Sequence, residues 1–283
     1  MKKKIIVILI LIILTIVLVS IPKETYQNLF GNKIEDPTDV IYEEHQIVYV
    51  INQEQKLVGL KVGVEKIEDD EIIQKWNLLT KDAGLLPAGY SSPIDNKASL
   101  IDYQINNSIL TFNLSEDFLN SNGKFAIASL AWTFCEGEEI KEIVVVVNDN
   151  IINKLNDYSF NRINKEIGVN YEFENMFVYD SVVTTVIHYY NDYVMPVTYF
   201  HSSSDECSYI VEKVLEVGVT SNEKYDYKLE NENVVVNLGF VEMLTEIELN
   251  SIVESLKYNF GVNNIVINGT ESVLYQTESV DQT

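Results

Sequence analysis

The side chains able to do acid–base, nucleophilic or metal chemistry in this 283-residue chain are three histidines, two cysteines and a large excess of carboxylates. His188 and His201 fall on adjacent strands of one hairpin. A metal there needs a third ligand, for which Asp205 or Glu206 is placed; the competing reading is a pair of solvated edge histidines. His45 starts a strand elsewhere, and the three positions form no shared constellation. Cys135 and Cys207 show neither C-x-x-C nor zinc spacing and read as two unpaired, buried thiols. There is no G-x-S-x-G, and no cysteine has a base partner. S-x-x-K spacing occurs at Ser121 with Lys124 and at Ser221 with Lys224, but in polar, turn-like text without S-D-N or K-T-G, so it reads as coincidence. With 43 acids a glycosidase-like pair can be drawn anywhere, which makes any one pair uninformative. Twelve scattered glycines offer no phosphate-cradling loop. The expectation is a chain with no catalytic residues, no cofactor, no metal site and no identified small-molecule substrate: not an enzyme.

Charge narrows the class further. The net charge is −23, and the first 22 residues hold three lysines and no acid, so the remainder is more acidic still. Such a surface repels phosphate backbones and argues against nucleic-acid binding.

The elements that would position any site can be read in chain order. Residues 5–21 form an apolar run behind Met1-Lys2-Lys3-Lys4, just long enough to cross a bilayer as a helix. Residues 1–22 therefore read as a signal anchor, with the lysines inside and the bulk of the chain outside the cytoplasm. Cleavage as a signal peptide is the rival, although V-S-I-P-K-E is a poor cleavage site. Residues 23–44 are polar and read as a stalk. A first unit spans 45–150, a connecting segment rich in aromatics spans 151–181 and packs on the units, and a second unit spans 182–270. Residues 271–283 read as a flexible tail.

The two units are copies. Tyr103 to Ser115 reads Y-Q-I-N-N-S-I-L-T-F-N-L-S, and Tyr227 to Gly239 reads Y-K-L-E-N-E-N-V-V-V-N-L-G, 124 positions on without a gap. Each is two short strands about a polar turn. Ser129, Leu130 and Phe134 fall on Ser255, Leu256 and Phe260, and Ile143 to Val145 on Ile265 to Ile267. The expected order in each unit is β-β-α-β-β-α-β, the last strand closing the sheet. Capping-box spacing at Ser203 to Glu206 and at Thr245 to Glu248 marks two helix starts. Pro196 favours a sheet edge for its strand.

Leu86-Pro87-Ala88-Gly89-Tyr90, Phe112-Asn113-Leu114-Ser115 and the valine-rich strand Ile143 to Val147, in this order and in tandem, resemble the sporulation and germination domain called GerMN. The resemblance implies an α+β fold of two homologous domains related to ring-building motifs, which here stand behind the N-terminal transmembrane helix read from residues 5–21. It implies a non-enzymatic, envelope-exposed module of a Gram-positive cell that assembles or localises an envelope protein complex. A cell-wall-associated hydrolase, or an accessory to one, is the alternative. Two features depart from the family: no lipobox cysteine is present, and the second copy lacks the L-P-x-G loop. That loop, 84–93, is small and apolar in the first copy only. Leu85, Leu86 and Tyr90 are therefore the partner-contact candidates, against the simpler reading of a lid on the domain's own core.

Overall fold

The structure, a computed structural model, describes residues 44–64, 70–135, 139–174, 180–216, 225–230, 233–239 and 241–277. Contacts divide the chain into Met1–Glu43 and Glu44–Thr283, and the description concerns the second unit. The anchor and the stalk to residue 43 lie outside the described residues, among which no helix is long and apolar enough to cross a membrane.

The first copy runs β1 (Glu44–Ile51), β2 (Leu57–Val64), α1 (Glu71–Leu79), β3 (Leu100–Asn106), β4 (Ile109–Leu114), α2 (Gly123–Phe134) and β5 (Glu142–Val147). Short strands β6 (Asn150–Ile151), β7 (Lys154–Leu155), β8 (Tyr158–Ser159) and β9 (Glu172–Phe173) follow in the connecting segment. The second copy runs β10 (Val182–Tyr189), β11 (Tyr193–His201), α3 (Glu206–Leu215), β12 (Tyr225–Glu230), β13 (Asn233–Leu238), α4 (Glu246–Phe260), β14 (Asn264–Asn268) and β15 (Val273–Gln276). The β-β-α-β-β-α-β order holds in both.

The registers match as the repeat requires. Tyr103 pairs with Phe112 in the first copy and Tyr227 with Val236 in the second, both shifted by 124. The last strand then pairs in parallel with the second strand of this hairpin, Leu110 with Ile143 and Val234 with Ile265, which demands the intervening helix as a crossover. Leu110, Phe112, Leu114, Ile143, Val145 and Val147 alternate inward in the first copy; Val234, Val236, Leu238, Ile265 and Ile267 do so in the second. At the first hairpin's turn Asn107 and Ser108 both have positive φ, the geometry that matches the strand twist.

Three expectations need correction. The last strand does not close one sheet per copy: β3-β4-β5-β6 and β12-β13-β14-β15 are separate sheets, and the two opening hairpins join in a third, ordered β1-β2-β11-β10 with β9 beside β11. Tyr193 and Val194 of β11 pair antiparallel with Leu60 and Gly59 of β2, so one sheet runs through both copies. The tail reading of 271–283 fails over Val273–Gln276, which pairs with β14. Its consecutive Val273, Leu274 and Tyr275 extend the sheet beyond β14, a pairing that local sequence does not announce.

Pro196 is the third. It does not lie on an outer edge; β11 has β10 on one side and β2 and β9 on the other. Pairing with β2 ends at Val194 and pairing with β9 begins at Tyr199, and Pro196, which has no N–H to donate, falls in the gap. Asn170 fills that gap with its side chain. Its Nδ2 donates to Pro196 O and Leu57 O, each at 2.7 Å, and its Oδ1 accepts from Leu57 N at 2.8 Å.

The sheet's two outer strands are covered by helices of their own copies. Thr133 Oγ1 accepts from Tyr49 N and Ser129 Oγ donates to Tyr49 O, tying α2 to β1. Along α4, Ser251, Ser255 and Asn259, spaced by four, accept from the N–H groups of Tyr189, Ile187 and Thr185 on β10. The Ser129 and Ser255 that align in sequence thus do the same job, satisfying an edge strand that would otherwise offer itself to another chain.

Helix starts follow the sequence unevenly. Thr245 and Glu248 form the full capping box. In α3 the cap is Asp205, accepting from Ser208 N at 3.0 Å, and Ser203 lies outside it. Gly261 ends α4 with a left-handed φ of 62°. In the connecting segment Leu155, Phe160, Ile163 and Val169 are buried.

Candidate functional site

The loop after α1 is held from both ends. Ser92 Oγ donates to Leu79 O at 2.6 Å, and Ser91 exchanges two backbone hydrogen bonds with Ile51 at the end of β1. Pro87 to Tyr90 makes a turn in which Tyr90 N donates to Pro87 O and Gly89 has φ +96°, a backbone that only glycine adopts without strain. The three contact candidates therefore separate. Leu86 and Tyr90 are half-buried and pack against the first copy's core, whereas Leu85, in a single 3-10 turn (Ala83–Leu85), is 74% exposed.

The histidines sit differently from expectation. His201 is buried, at 2% exposure, not solvated, and His188 is half-buried. They lie at opposite ends of the β10–β11 hairpin, Val182 facing His201 and His188 facing Met195, yet both line one groove of about 810 Å³ bounded by β9, β10, β11 and α3. Asp205 and Glu206 do not join them. Among the described residues no three His, Cys, Asp or Glu side chains converge to hold a metal.

The groove's floor is aromatic. His201 stacks on Tyr209 with centroids 3.6 Å apart and planes 10° apart, and Tyr209 meets Tyr199 edge-on at 5.8 Å. His188 Nε2 lies 3.3 Å from Tyr199 Oη, and His201 Nε2 lies 2.8 Å from Thr184 Oγ1. His201 Nδ1 makes no hydrogen bond of good geometry, and the Ser203 backbone lies close enough to the ring to oppose the effect of burial on its pKa. Glu172, Glu174, Glu212 and Glu216 surround this floor with one lysine, Lys213. Glu174 is positioned by its own N–H, which donates to Phe200 O at 2.9 Å, and by Tyr209 Oη, which donates to its carboxylate at 2.8 Å. Lys213 pairs with the same carboxylate, its Nζ 5.0 Å and 5.5 Å from the Tyr199 and Tyr209 ring centres.

Burial holds both imidazoles below their ordinary pKa, opposed for His188 chiefly by Glu216 and for His201 chiefly by Glu174. For Glu174, burial raises the pKa, but Lys213 and Tyr209 outweigh it and the carboxyl ends below its usual range. Burial raises the Tyr199 and Tyr209 hydroxyls, Glu174 adding to it at Tyr209, so both stay protonated. Among the described residues the side-chain partners of these imidazoles are the Tyr199 and Thr184 hydroxyls, and Cys135 and Cys207 are buried, which pushes their thiols up to about 11 and about 12. Ser121 Oγ, of the S-x-x-K spacing, accepts from Asp95 N, and Lys124 lies 3.7 Å over the Tyr171 ring; the pair has no catalytic geometry. Ser221 and Lys224 lie outside the described residues.

Sequence reasoning missed this groove, although a signal existed. Met195, Val197, Tyr199 and His201 alternate along β11, and Tyr209, Glu212, Lys213 and Glu216 recur at helical spacing along α3. Both patterns read equally well as core-facing stripes.

Residues 47–152 match the family described as Germane, sporulation and spore germination. Among solved structures, the tandem GerMN domains of the sporulation protein GerM from Bacillus subtilis align with a TM-score of 0.67 and 16% identity, covering 81% of this chain and 92% of that one. The first GerMN domain of the same protein (TM-score 0.38, 15% identity, 41% and 92% covered) aligns more loosely. So does a putative lipoprotein from Clostridium perfringens (TM-score 0.29, 18% identity, 45% and 91% covered). No curated protein matches the sequence. Residues 47–152 thus carry a match to the Germane family model, and the chain has the fold of tandem GerMN domains.

Proposed function

We propose that the chain is a non-enzymatic scaffold of sporulation or germination, anchored in the membrane by residues 5–21 with its folded part outside the cytoplasm, and that it assembles or localises an envelope protein complex. The observation that carries the reading is the Germane match over 47–152, in a chain whose fold is that of a tandem sporulation protein. The anchor rests on the lysine-flanked apolar run, and the scaffold role on the likeness to a tandem sporulation protein. The sheet shared between copies and its helix-covered edges supply a rigid body suited to presenting a surface.

Deleting the gene in its host and counting heat-resistant spores tests the role, alongside envelope localisation of a fluorescent full-length fusion. The expected outcome is fewer or defective spores, with the fusion confined to the envelope. Normal sporulation and germination, or a cytoplasmic fusion, would overturn the reading. Zymography of the full-length chain on wall material addresses the hydrolase alternative: a cleared band would end the scaffold reading.

A further inference from the structure

The groove between β9, β11 and α3 is independent of the scaffold reading, and its chemistry points to a ligand class of its own. Its walls carry four carboxylates against one lysine, so an anion is repelled. A metal lacks three converging ligands among the described residues. Its floor is a packed aromatic stack, in which His201, Tyr209 and Tyr199 are nearly buried and fix one another by ring contacts and by the Thr184 hydroxyl. Electron-rich ring faces ringed by carboxylates favour an organic cation over a neutral group.

Two further observations point to a guest. The first is that an ammonium already occupies the seat: Lys213 Nζ lies over the Tyr199 and Tyr209 rings and against Glu174. Lys213 and Glu174 both remain about one-third exposed, so this occupant is at the mouth and can swing away. The second is His201 Nδ1, a buried polar atom of a groove-lining side chain that is left without a hydrogen-bond partner while the groove holds only Lys213.

We propose that this groove binds an alkylammonium group, from a lysine-like side chain or a polyamine, on the Tyr199 and Tyr209 rings against Glu174, and that Lys213 holds the seat when the groove is empty. Binding exchanges one ammonium for another. Lys213 is therefore an internal competitor, and removing it strengthens binding, a gain that misfolding cannot imitate.

The test is calorimetric titration of the full-length chain in non-ionic detergent with three probes: Nα-acetyl-lysine amide, its Nε-acetylated form, and spermidine. The expected result is binding of at least one charged probe and none of the Nε-acetylated control. Lys213→Met should tighten binding about tenfold and Glu174→Gln weaken it about tenfold, the wild-type protein serving as reference. Binding of the lysine amide assigns the guest to a peptide side chain, and binding of spermidine alone assigns it to a polyamine. The proposal falls if neither charged probe binds wild type or Lys213→Met. It also falls if Lys213→Met fails to tighten binding. Spermidine binding that survives Glu174→Gln and vanishes at about 0.15 M salt would mean diffuse attraction to an acidic surface, and would equally overturn it.

Discussion

Trp132 of α2 and Tyr258 of α4 stack across the boundary between the copies, with ring centroids 5.4 Å apart and planes 18° apart. The connecting segment completes the contact: Tyr258 Oη donates to Lys165 O at 2.7 Å, and the Lys165 ammonium lies 5.2 Å from the Trp132 ring centre. Burial pushes the Tyr258 hydroxyl up to about 12, so it remains a donor at any working pH. With the sheet shared through β2 and β11, this contact makes the two copies depend on each other.

Tyr258→Ala is accordingly expected to lower stability by about 2–4 kcal/mol, and Tyr258→Phe, which keeps the stack, by about 1 kcal/mol. Thermal melting of the full-length chain should show one transition covering both copies. Two separated transitions, with only one shifted by Tyr258→Ala, would mean that the copies fold independently.

Asn170 supports a second prediction. Its side chain supplies the three hydrogen bonds that span the gap opposite Pro196, and its backbone sits at φ +49°. Asn170→Ala removes all three bonds and places a Cβ residue in left-handed backbone, for an expected loss of about 2–4 kcal/mol. Asn170→Gly loses the bonds but relaxes the backbone, so it should be milder by about 0.5–1 kcal/mol. Denaturant unfolding that ranks glycine below alanine, or finds alanine neutral, would remove Asn170 from its bridging role.

These two residues also mark where the sequence stopped being informative. The repeat was legible because paired strands leave period-two apolar runs and turn residues at fixed offsets, as at Tyr103 and Tyr227. The α4 start was legible because Thr245 and Glu248 meet within one helical turn. The union of the opening hairpins was not, since it rests on two residue pairs, Tyr193 with Leu60 and Val194 with Gly59, between strands far apart in the chain. Pro196 misled for a related reason. Its missing N–H says that one side of the strand lacks a partner at that position, but not that partners resume two or three residues either way. The groove is the same case, because strand alternation and helical spacing show which residues share a face and not whether that face meets a core or a cavity.

A pH dependence follows from His188 and His201. Burial holds both imidazoles below the ordinary value, so the unfolded chain takes up protons that the folded chain refuses. Their contribution is fully present above the ordinary histidine pKa of about 6.5 and is lost as pH falls toward the lowered folded values. Between about pH 7.5 and 5.5 the Tm of the wild-type chain should fall more steeply than that of a His188→Gln/His201→Gln variant. Equal slopes would show that the two rings titrate in the folded protein as they do in the unfolded chain.

Leu85 gives the sharpest test of the contact surface, because the structure separates it from its neighbours. Leu86 and Tyr90 pack on the core, so replacing either with serine is expected to cost about 1–3 kcal/mol whatever the loop binds. Leu85 stands 74% exposed, on a 3-10 turn followed by a Gly89 turn and anchored by Ser91 and Ser92. Holding an apolar side chain out on a tethered loop gains nothing for the fold, and Leu85→Ser should leave Tm within about 0.5 kcal/mol equivalent of wild type. If the loop is a contact, the same substitution should disturb envelope localisation of the full-length fusion by weakening the anchor residue of an interface. Undisturbed localisation with an unchanged Tm would dismiss Leu85 as a contact, and a lowered Tm would place it with Leu86 and Tyr90 as part of the lid on its own domain.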